Sequence, residues 1–283
     1  MILNSLPKFS LFGIDVDYKD ANIICLPIPY DSTTSYQSGT RNGPREIINA
    51  SRFIESYSLE LNKDLSYLKI FTEDELAPNY NSPIDTINDI KKEVNAILEK
   101  KKIPLLIGGE HTITIGAILA FYELGIKDLF VVHFDAHTDS YDEFQGSKFT
   151  HATVISRVRE KFDYISIGIR SIDKGSLELL NSKKIIDIDR SRDTDFVSRL
   201  INERKESNIY ITFDFDVLDP SEMPSVGTPE PNGMYYREII SIMKKIKKNV
   251  IGLDFTEFMP IPNLAYPNFL AAKLIYNTLG IFF

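Results

Sequence analysis

Length, composition and charge set the first limits on what this chain can be. Its 283 residues are enough to bury a substantial core, and 43% hydrophobic with 25% charged residues is ordinary for a soluble globular protein. The net charge of −8 argues against a nucleic-acid partner, which would favour a basic surface. The single cysteine, Cys25, excludes an intramolecular disulfide, and its apolar neighbours predict a buried structural thiol.

The sequence carries no signal for export or for membrane insertion. The amino-terminal stretch lacks a signal-peptide pattern, and no apolar run approaches the roughly 20 residues needed to span a bilayer. We therefore expect a cytoplasmic protein with no membrane partner.

Short apolar runs alternate along the chain with segments of helical periodicity. The runs predict strands near residues 22–26, 68–72, 103–107, 128–134, 163–169, 184–188, 208–213 and 249–254. They lack polar alternation, which is typical of strands covered on both faces. Helices are predicted near residues 43–54, 83–101, 111–123, 151–160, 174–181, 192–204, 233–247 and 266–279.

The alternation of strands and helices predicts the fold class. It indicates an α/β protein, a three-layer α/β/α sandwich with a mainly parallel sheet of about eight strands. No repeat, low-complexity stretch or linker interrupts the pattern, so we expect one domain over residues 1–283. In sheets of this kind, functional groups lie beyond the carboxyl ends of the strands.

Acids and histidines follow several of these strands. Asp135, His137 and Asp139 come after the fourth predicted strand and are spaced by two, so an extended backbone would turn them to one side. Asp214 and Asp216 repeat this spacing after another strand. Two further strand ends lead to Glu110–His111 and, through Asp254, to Glu257.

Carboxylates gathered at one end of a buried sheet require compensation, because desolvation and mutual repulsion both oppose their charge. Four aspartates and two histidines match two divalent cations, and an oxygen-rich set with imidazole suits manganese better than structural zinc. An isolated Asp-x-Asp such as Asp214 and Asp216 would more often be a solvated strand end. We interpret His133 as a histidine that supports a ligand or packs in the core.

Eight ordered segments resemble those of one enzyme family. They are residues 28–34, 39–44, 108–111, 135–139, 168–171, 213–220, 227–231 and 254–257. The chain resembles the ureohydrolase family of arginases, agmatinases and related enzymes over most of its length, and is closest to the agmatinases. The resemblance implies an arginase-like α/β/α sandwich with a binuclear manganese centre, two Mn²⁺ per subunit, at the strand ends.

The resemblance also implies roles for individual residues. One ion would be held by His111, Asp135, Asp139 and Asp214. The other would be held by His137, Asp135, Asp214 and Asp216, with Asp135 and Asp214 bridging. His151 matches the family histidine that handles protons, and Glu257 matches the acid that anchors the guanidinium. Glu110 departs from the usual aspartate, and Asn232-Gly233-Met234 replaces Gly-Gly-Leu; both changes bear on substrate fit more than on metal binding.

These groups suit the hydrolysis of a guanidinium to urea and an amine. Two ions sharing one water would supply hydroxide near neutral pH, and charge-assisted bonds from Glu257 would hold the guanidinium carbon over it. Asp139 would pass the hydroxide proton to the departing amine, while His151 would exchange protons with solvent. His151 could alternatively be only a helix-start residue.

The expected substrate is a small cationic guanidine, agmatine, which would give putrescine and urea in polyamine biosynthesis. The loop over residues 141–153 resembles that of agmatinases and lacks the Asn-x-His-Gly pattern with which arginases bind the amino-acid end of arginine. The default interpretation of Asp142 and Glu143 is a solvated acidic loop; alternatively, one of them would meet the distal ammonium of agmatine. N1-aminopropylagmatine, guanidinobutyrate, arginine and formiminoglutamate remain alternatives.

Two functions from other classes also remain open. An amide deacetylase on a related sheet would hold one zinc ion, whereas His111, Asp139 and Asp216 favour two ions. A non-catalytic binding or scaffold protein would have little need for His151 and Glu257 beside every ligand. The resemblance further implies a homo-oligomer, a trimer or a hexamer.

Overall fold

The computed structural model describes residues 8–79, 81–180 and 184–283. Its main sheet is built from β1 (Ile23–Ile28), β4 (Ile70–Thr72), β5 (Ile103–Gly108), β6 (Leu129–Phe134), β7 (Asp163–Ile169), β8 (Ile185–Asp187), β9 (Asn208–Asp214) and β10 (Asn249–Thr256). The spatial order is β4-β1-β5-β10-β9-β6-β7-β8, and each of these neighbouring pairs is parallel. The predicted eight-stranded parallel sheet is confirmed.

Nine α-helices connect or flank the strands in the described part of the chain. They are α1 (Gly43–Ser51), α2 (Pro83–Glu99), α3 (Ile113–Glu123), α4 (Val154–Arg159), α5 (Leu177–Leu180), α6 (Ile188–Ser191), α7 (Thr194–Asn202), α8 (Tyr236–Lys245) and α9 (Ala265–Phe282). The helix predicted near 151–160 begins as a 3-10 turn at His151, and residue 181, the predicted end of another, lies outside the described residues.

Each strand buries alternate side chains in two separate apolar layers. In β1, Cys25 packs with residues of α1, α8 and α9, whereas Leu26 packs with residues of α2 and α3 on the opposite face. The same division recurs along β5 and β6. Helices therefore cover both faces, which explains why the strands are continuously hydrophobic. Burial raises the pKa of the Cys25 thiol, as expected for an inert core cysteine.

Two short elements were not predicted. β2 (Tyr57–Ser58) and β3 (Lys63–Asp64) form a small antiparallel hairpin, and two residues per strand are too few to give a detectable alternation. The strand predicted to reach residue 188 ends at Asp187, because the Asp187 side chain accepts a hydrogen bond from the Arg190 amide and so caps α6.

No helix in the described ranges is long and apolar enough to cross a membrane. The extent of the domain, residues 1–283, stays a prediction.

Candidate active site

The carboxyl ends of four adjacent central strands meet at one edge of the sheet. The order β5-β10-β9-β6 brings together the segments that carry His111, Glu257, Asp214 and Asp135. Strand register aligns these ends, since Thr256 pairs with Asp214 and Phe134 pairs with Phe213. Residues up to 146 positions apart in sequence thereby become neighbours.

The first cluster surrounds one nitrogen of His111. His111 is fully buried, and its Nδ1 lies 3.2 Å from a carboxylate oxygen of each of three aspartates, Asp135, Asp139 and Asp214. Among the described residues, Nδ1 nevertheless has no hydrogen-bond partner. A buried nitrogen without a hydrogen bond, facing three carboxylates, is the arrangement that a metal ion would complete.

Hydrogen bonds through Thr212 to Asp254 determine which ring nitrogen of His111 carries the proton. His111 Nε2 lies 2.8 Å from Thr212 Oγ1, which itself donates to Asp254 Oδ1 at 2.7 Å. Since the Thr212 hydroxyl proton is used on Asp254, its oxygen accepts from Nε2–H. The neutral ring therefore presents an unprotonated Nδ1 to the carboxylates, and such support is typical of histidine ligands to metals.

The second cluster shares Asp135 with the first. His137 Nδ1 lies 2.8 Å from Asp216 Oδ2 and 3.5 Å from Asp135 Oδ1. The other Asp216 oxygen accepts the Ala136 amide at 3.0 Å, and Asp214 Oδ1 accepts the Asp216 amide at 2.8 Å. The two groups therefore lie side by side, with Asp135 contributing one oxygen to each.

His133 lies against the first cluster, and its ligand atoms and those of His111, Asp135 and Asp139 are all within 4.8 Å of one another. Both of its ring nitrogens are already occupied, however. Nε2 is 2.7 Å from Asp135 Oδ2, and Nδ1 is 2.9 Å from Ser166 Oγ. This geometry favours the interpretation of His133 as a support that orients Asp135.

The pKa shifts in the two clusters indicate that added positive charge would stabilise them. Burial, followed by the charges of Asp216 and Asp135, raises the pKa of Asp214 well above its usual range. Burial opposes charge on His111 and His137, but the surrounding carboxylates outweigh it and raise both histidine pKa values. The raised pKa values show that both clusters favour added positive charge, which divalent cations would supply.

A cavity of about 320 Å³ opens above the clusters. Its lining includes His137, Asp139, Asp214, Asp216, His151 and Glu257. The remaining wall is mainly polar and aromatic, with a few small or aliphatic residues. It is formed by Thr34, Ser35, Tyr36, Gln37, Thr138, Tyr141, Phe144, Ala152, Ser171, Ile172, Asp173, Gly227 and Thr228. Among the described residues that line it, none is a lysine or an arginine.

Glu257 and Asp139 both adopt left-handed backbone conformations, with φ of 62° and 44°. Such values are uncommon outside glycine and often mark functional positions. The Glu257 amide donates to Gly109 O at 2.8 Å, and its Oε1 accepts the His111 amide at 2.6 Å. The His111 amide therefore holds one carboxylate oxygen of Glu257, and the residue lines the cavity.

His151 lies in the cavity wall, and its proton-handling role, implied by the family resemblance, stays a prediction. Its Nδ1 is 3.1 Å from Thr33 Oγ1, and its ring meets Phe144 edge-on with centroids 5.6 Å apart. Asp142 and Glu143, expected near the distal end of a substrate, do not line the cavity. Asp142 instead forms an ion pair with Arg159. Asp173, which the sequence interpretation missed, lines the cavity, and its carboxylate also accepts hydrogen bonds from Gly175 and Ser176.

Arg170 secures the loop that carries Asp216. Its guanidinium donates to main-chain carbonyls, among them Asp216 O at 2.6 Å and Glu230 O at 2.9 Å. The motif containing Arg170 was noted in the sequence, but its partners lie about 46 to 60 residues away and no local pattern identifies them.

The sheet, its two helical layers and the paired clusters define a class of protein, an α/β/α enzyme with a His/Asp site suited to metal ions. A model described as the Arginase family matches residues 21–280. The N(1)-aminopropylagmatine ureohydrolase of Thermus thermophilus is 33% identical over 276 residues, covering 94% of this chain and 92% of the relative. The agmatinase of Bacillus subtilis is 32% identical and covers 87% and 86%, respectively.

A comparison with solved structures finds the same fold in an enzyme with a similar name. The agmatine ureohydrolase of Thermoplasma volcanium superposes with a TM-score of 0.86 at 30% identity, covering 99% of this chain and 95% of the other. The chain therefore belongs to the arginase family, and it is an agmatinase-like ureohydrolase. This membership favours a hydrolase of guanidines over a deacetylase or a scaffold.

Proposed function

We propose that this enzyme binds two manganese ions and hydrolyses agmatine to putrescine and urea, a reaction of polyamine biosynthesis. The observation that carries the proposal is the buried Nδ1 of His111, which faces three carboxylates without a hydrogen bond beside a second cluster that shares Asp135. A homo-oligomeric state and a cytoplasmic location stay predictions.

The ligands of the first ion would be His111, Asp135, Asp139 and Asp214. Those of the second would be His137, Asp135, Asp214 and Asp216. Carboxylate oxygens dominate the set and no thiolate takes part, which favours manganese over zinc. When bound, the two ions would lower the pKa of a water molecule and so supply a nucleophile near neutral pH.

The chain's own residues would orient the substrate and move its protons. Glu257, with one oxygen held by the His111 amide, would accept hydrogen bonds from the guanidinium at its other oxygen and fix the carbon above the clusters. Asp139 would accept a proton from the attacking water and transfer it to the departing amine. His151 would exchange protons between the cavity and solvent.

The cavity wall favours a substrate whose far end is cationic. Asp173 supplies a carboxylate there, and its negative charge contributes to the raised pKa of the adjacent Tyr141, after burial. The rings of Tyr141 and Phe144 add aromatic surface, which attracts ammonium groups. Because no lysine or arginine lines the described wall, a carboxylate-bearing guanidine such as guanidinobutyrate would lack an ionic partner.

N1-aminopropylagmatine is the second candidate substrate, because relatives at 33% identity carry that activity in their names. Both compounds are cations without a carboxylate. The test is a comparison of kcat/KM for agmatine, N1-aminopropylagmatine, arginine and guanidinobutyrate with the manganese-loaded enzyme. We expect agmatine to be preferred. A clear preference for the aminopropyl compound would replace agmatine in this proposal, and a preference for arginine would contradict the role of the cavity wall.

Two variants distinguish the proposed metal-binding role of Asp214 from the proposed proton-transfer role of His151. Asp214→Ala would lose manganese, because it removes a carboxylate common to both sets of ligands. His151→Ala would retain both ions and lose turnover, by up to about 10²–10⁴-fold if all its assistance is acid–base. Metal analysis and urea release measured on the same preparations test both roles. Full activity in either variant would refute its assignment.

A further inference from the structure

Thr33 occupies the space between His151 and a buried acid. Its hydroxyl donates to Glu110 Oε1 at 2.7 Å, and its amide donates to Glu110 Oε2, also at 2.7 Å. On its other side, Thr33 Oγ1 lies 3.1 Å from both the ring Nδ1 and the backbone amide of His151. Glu110 itself is fully buried and also accepts a hydrogen bond from the Thr112 hydroxyl.

The protons of this group can be counted. Thr33 has one hydroxyl proton, and with Glu110 ionised this proton is directed to the carboxylate. Its oxygen can then only accept, so the bond to His151 Nδ1 requires a proton on that nitrogen. The neutral ring is therefore the Nδ1–H form, which leaves Nε2 as the nitrogen that takes up and releases protons. Phe144 packs edge-on against the same ring and limits its rotation.

We infer that Thr33, anchored by Glu110, is a positioning residue that sets the tautomer and orientation of His151. The inference rests on the proton-handling role proposed above for His151. It also gives a purpose to the buried glutamate at position 110, since both of its oxygens accept hydrogen bonds from Thr33.

The test uses Thr33→Val, Thr33→Ser, His151→Ala and the double variant Thr33→Val/His151→Ala. We expect Thr33→Val to lower kcat at least about tenfold with little change in KM or manganese content, since part of the acid–base assistance depends on ring orientation. Thr33→Ser should recover most of the rate. The double variant should be no slower than His151→Ala alone, because Thr33 acts through that ring.

Thr40→Val is the matched control, since Thr40 is buried in the same loop and its hydroxyl has no hydrogen-bond partner among the described residues. It should leave kcat unchanged. Wild-type turnover in Thr33→Val, or an additive loss in the double variant, would overturn the inference.

Nitrogen NMR of ring-labelled histidine in the metal-free protein provides a readout independent of activity. The chain has only four histidines, so the His151 signals are assigned by their loss in His151→Ala. A protonated Nδ1 and an unprotonated Nε2 are expected, and the opposite tautomer would refute the inference. If the wild-type enzyme released no urea from any guanidine, the proposed function would fail, and the NMR result would still decide the role of Thr33.

Discussion

Replacing Thr212 by valine tests the support of His111 with the least change in shape. Both side chains are β-branched and similar in volume, so the main loss is a single hydroxyl. In the structure this hydroxyl accepts from His111 Nε2 at 2.8 Å and donates to Asp254 Oδ1 at 2.7 Å. The variant therefore disconnects the ring from the acid behind it while leaving every proposed metal ligand in place.

The contacts of Thr212 allow two effects of the substitution to be estimated, one on metal affinity and one on folding stability. Loss of a group that orients a metal-binding histidine typically lowers metal affinity about 10- to 100-fold, equivalent to about 1.4–2.7 kcal/mol. In addition, Nε2–H of His111 loses its acceptor and Asp254 loses one of three hydroxyl donors, the others being Tyr210 and Thr114. Each buried polar group left unpaired costs about 1–3 kcal/mol of folding stability.

Manganese titration, followed by the electron paramagnetic resonance signal of the free ion, gives the affinity of each variant. Urea unfolding of the metal-free proteins gives the stability. Thr278→Val is a suitable control, because Thr278 is equally buried but lies in α9, within the helical layer. Manganese affinity in Thr212→Val equal to that of the wild type would refute the proposed support of His111.

Three further outcomes are expected. In the metal-free enzyme the pKa values of His111 and His137 are raised, so their protons stabilise the fold at low pH and this stability is lost as pH rises through those values. Manganese displaces the protons, so the rise in Tm on adding manganese should grow as the pH is raised above about 6.5; a constant rise would contradict this. Arg170→Lys should lower the free energy of unfolding by about 1–3 kcal/mol in urea titrations, because three donors replace a five-donor fork; an unchanged midpoint would show that the carbonyl contacts are dispensable. Gly109→Ala should lower stability by about 3 kcal/mol, since its Cβ would lie 1.9 Å from Tyr30 O, and an unaltered melting curve would exclude that clash.

The parallel sheet of about eight strands and the gathering of acids could be predicted because both leave local signals. Continuous apolar runs mark strands covered on two faces, and polar residues directly after them must lie at one edge of a parallel sheet. The spacing of Asp135, His137 and Asp139 follows from the period of an extended chain. These rules need only a few adjacent residues. In the structure His111 lies beside Asp135, Asp139 and Asp214, and their roles stay predictions.

Contacts between loops that are far apart in sequence leave no local sequence pattern of this kind. Asp142 or Glu143 was considered as the partner of a distal ammonium, with a solvated acidic loop as the default. Asp142 is exposed and paired with Arg159, and Asp173 lines the cavity. The bond from Thr33 to Glu110 joins residues 77 positions apart. A threonine or an aspartate in a loop is compatible with many partners, so only the assembled sheet determines which pair forms.

The backbone conformation just after two strands links the proposed substrate anchor to the proposed metal site. Asp139 and Glu257 have positive φ, a conformation that costs non-glycine residues on the order of 1–3 kcal/mol each. Glycine would relieve that strain but would remove the carboxylates. For Glu257, the strain is offset by two hydrogen bonds to the β5 loop, at Gly109 O and the His111 amide. The amide that fixes Glu257 therefore belongs to a residue whose ring faces the first cluster. Substrate anchoring and metal binding should consequently be coupled through this short main-chain contact.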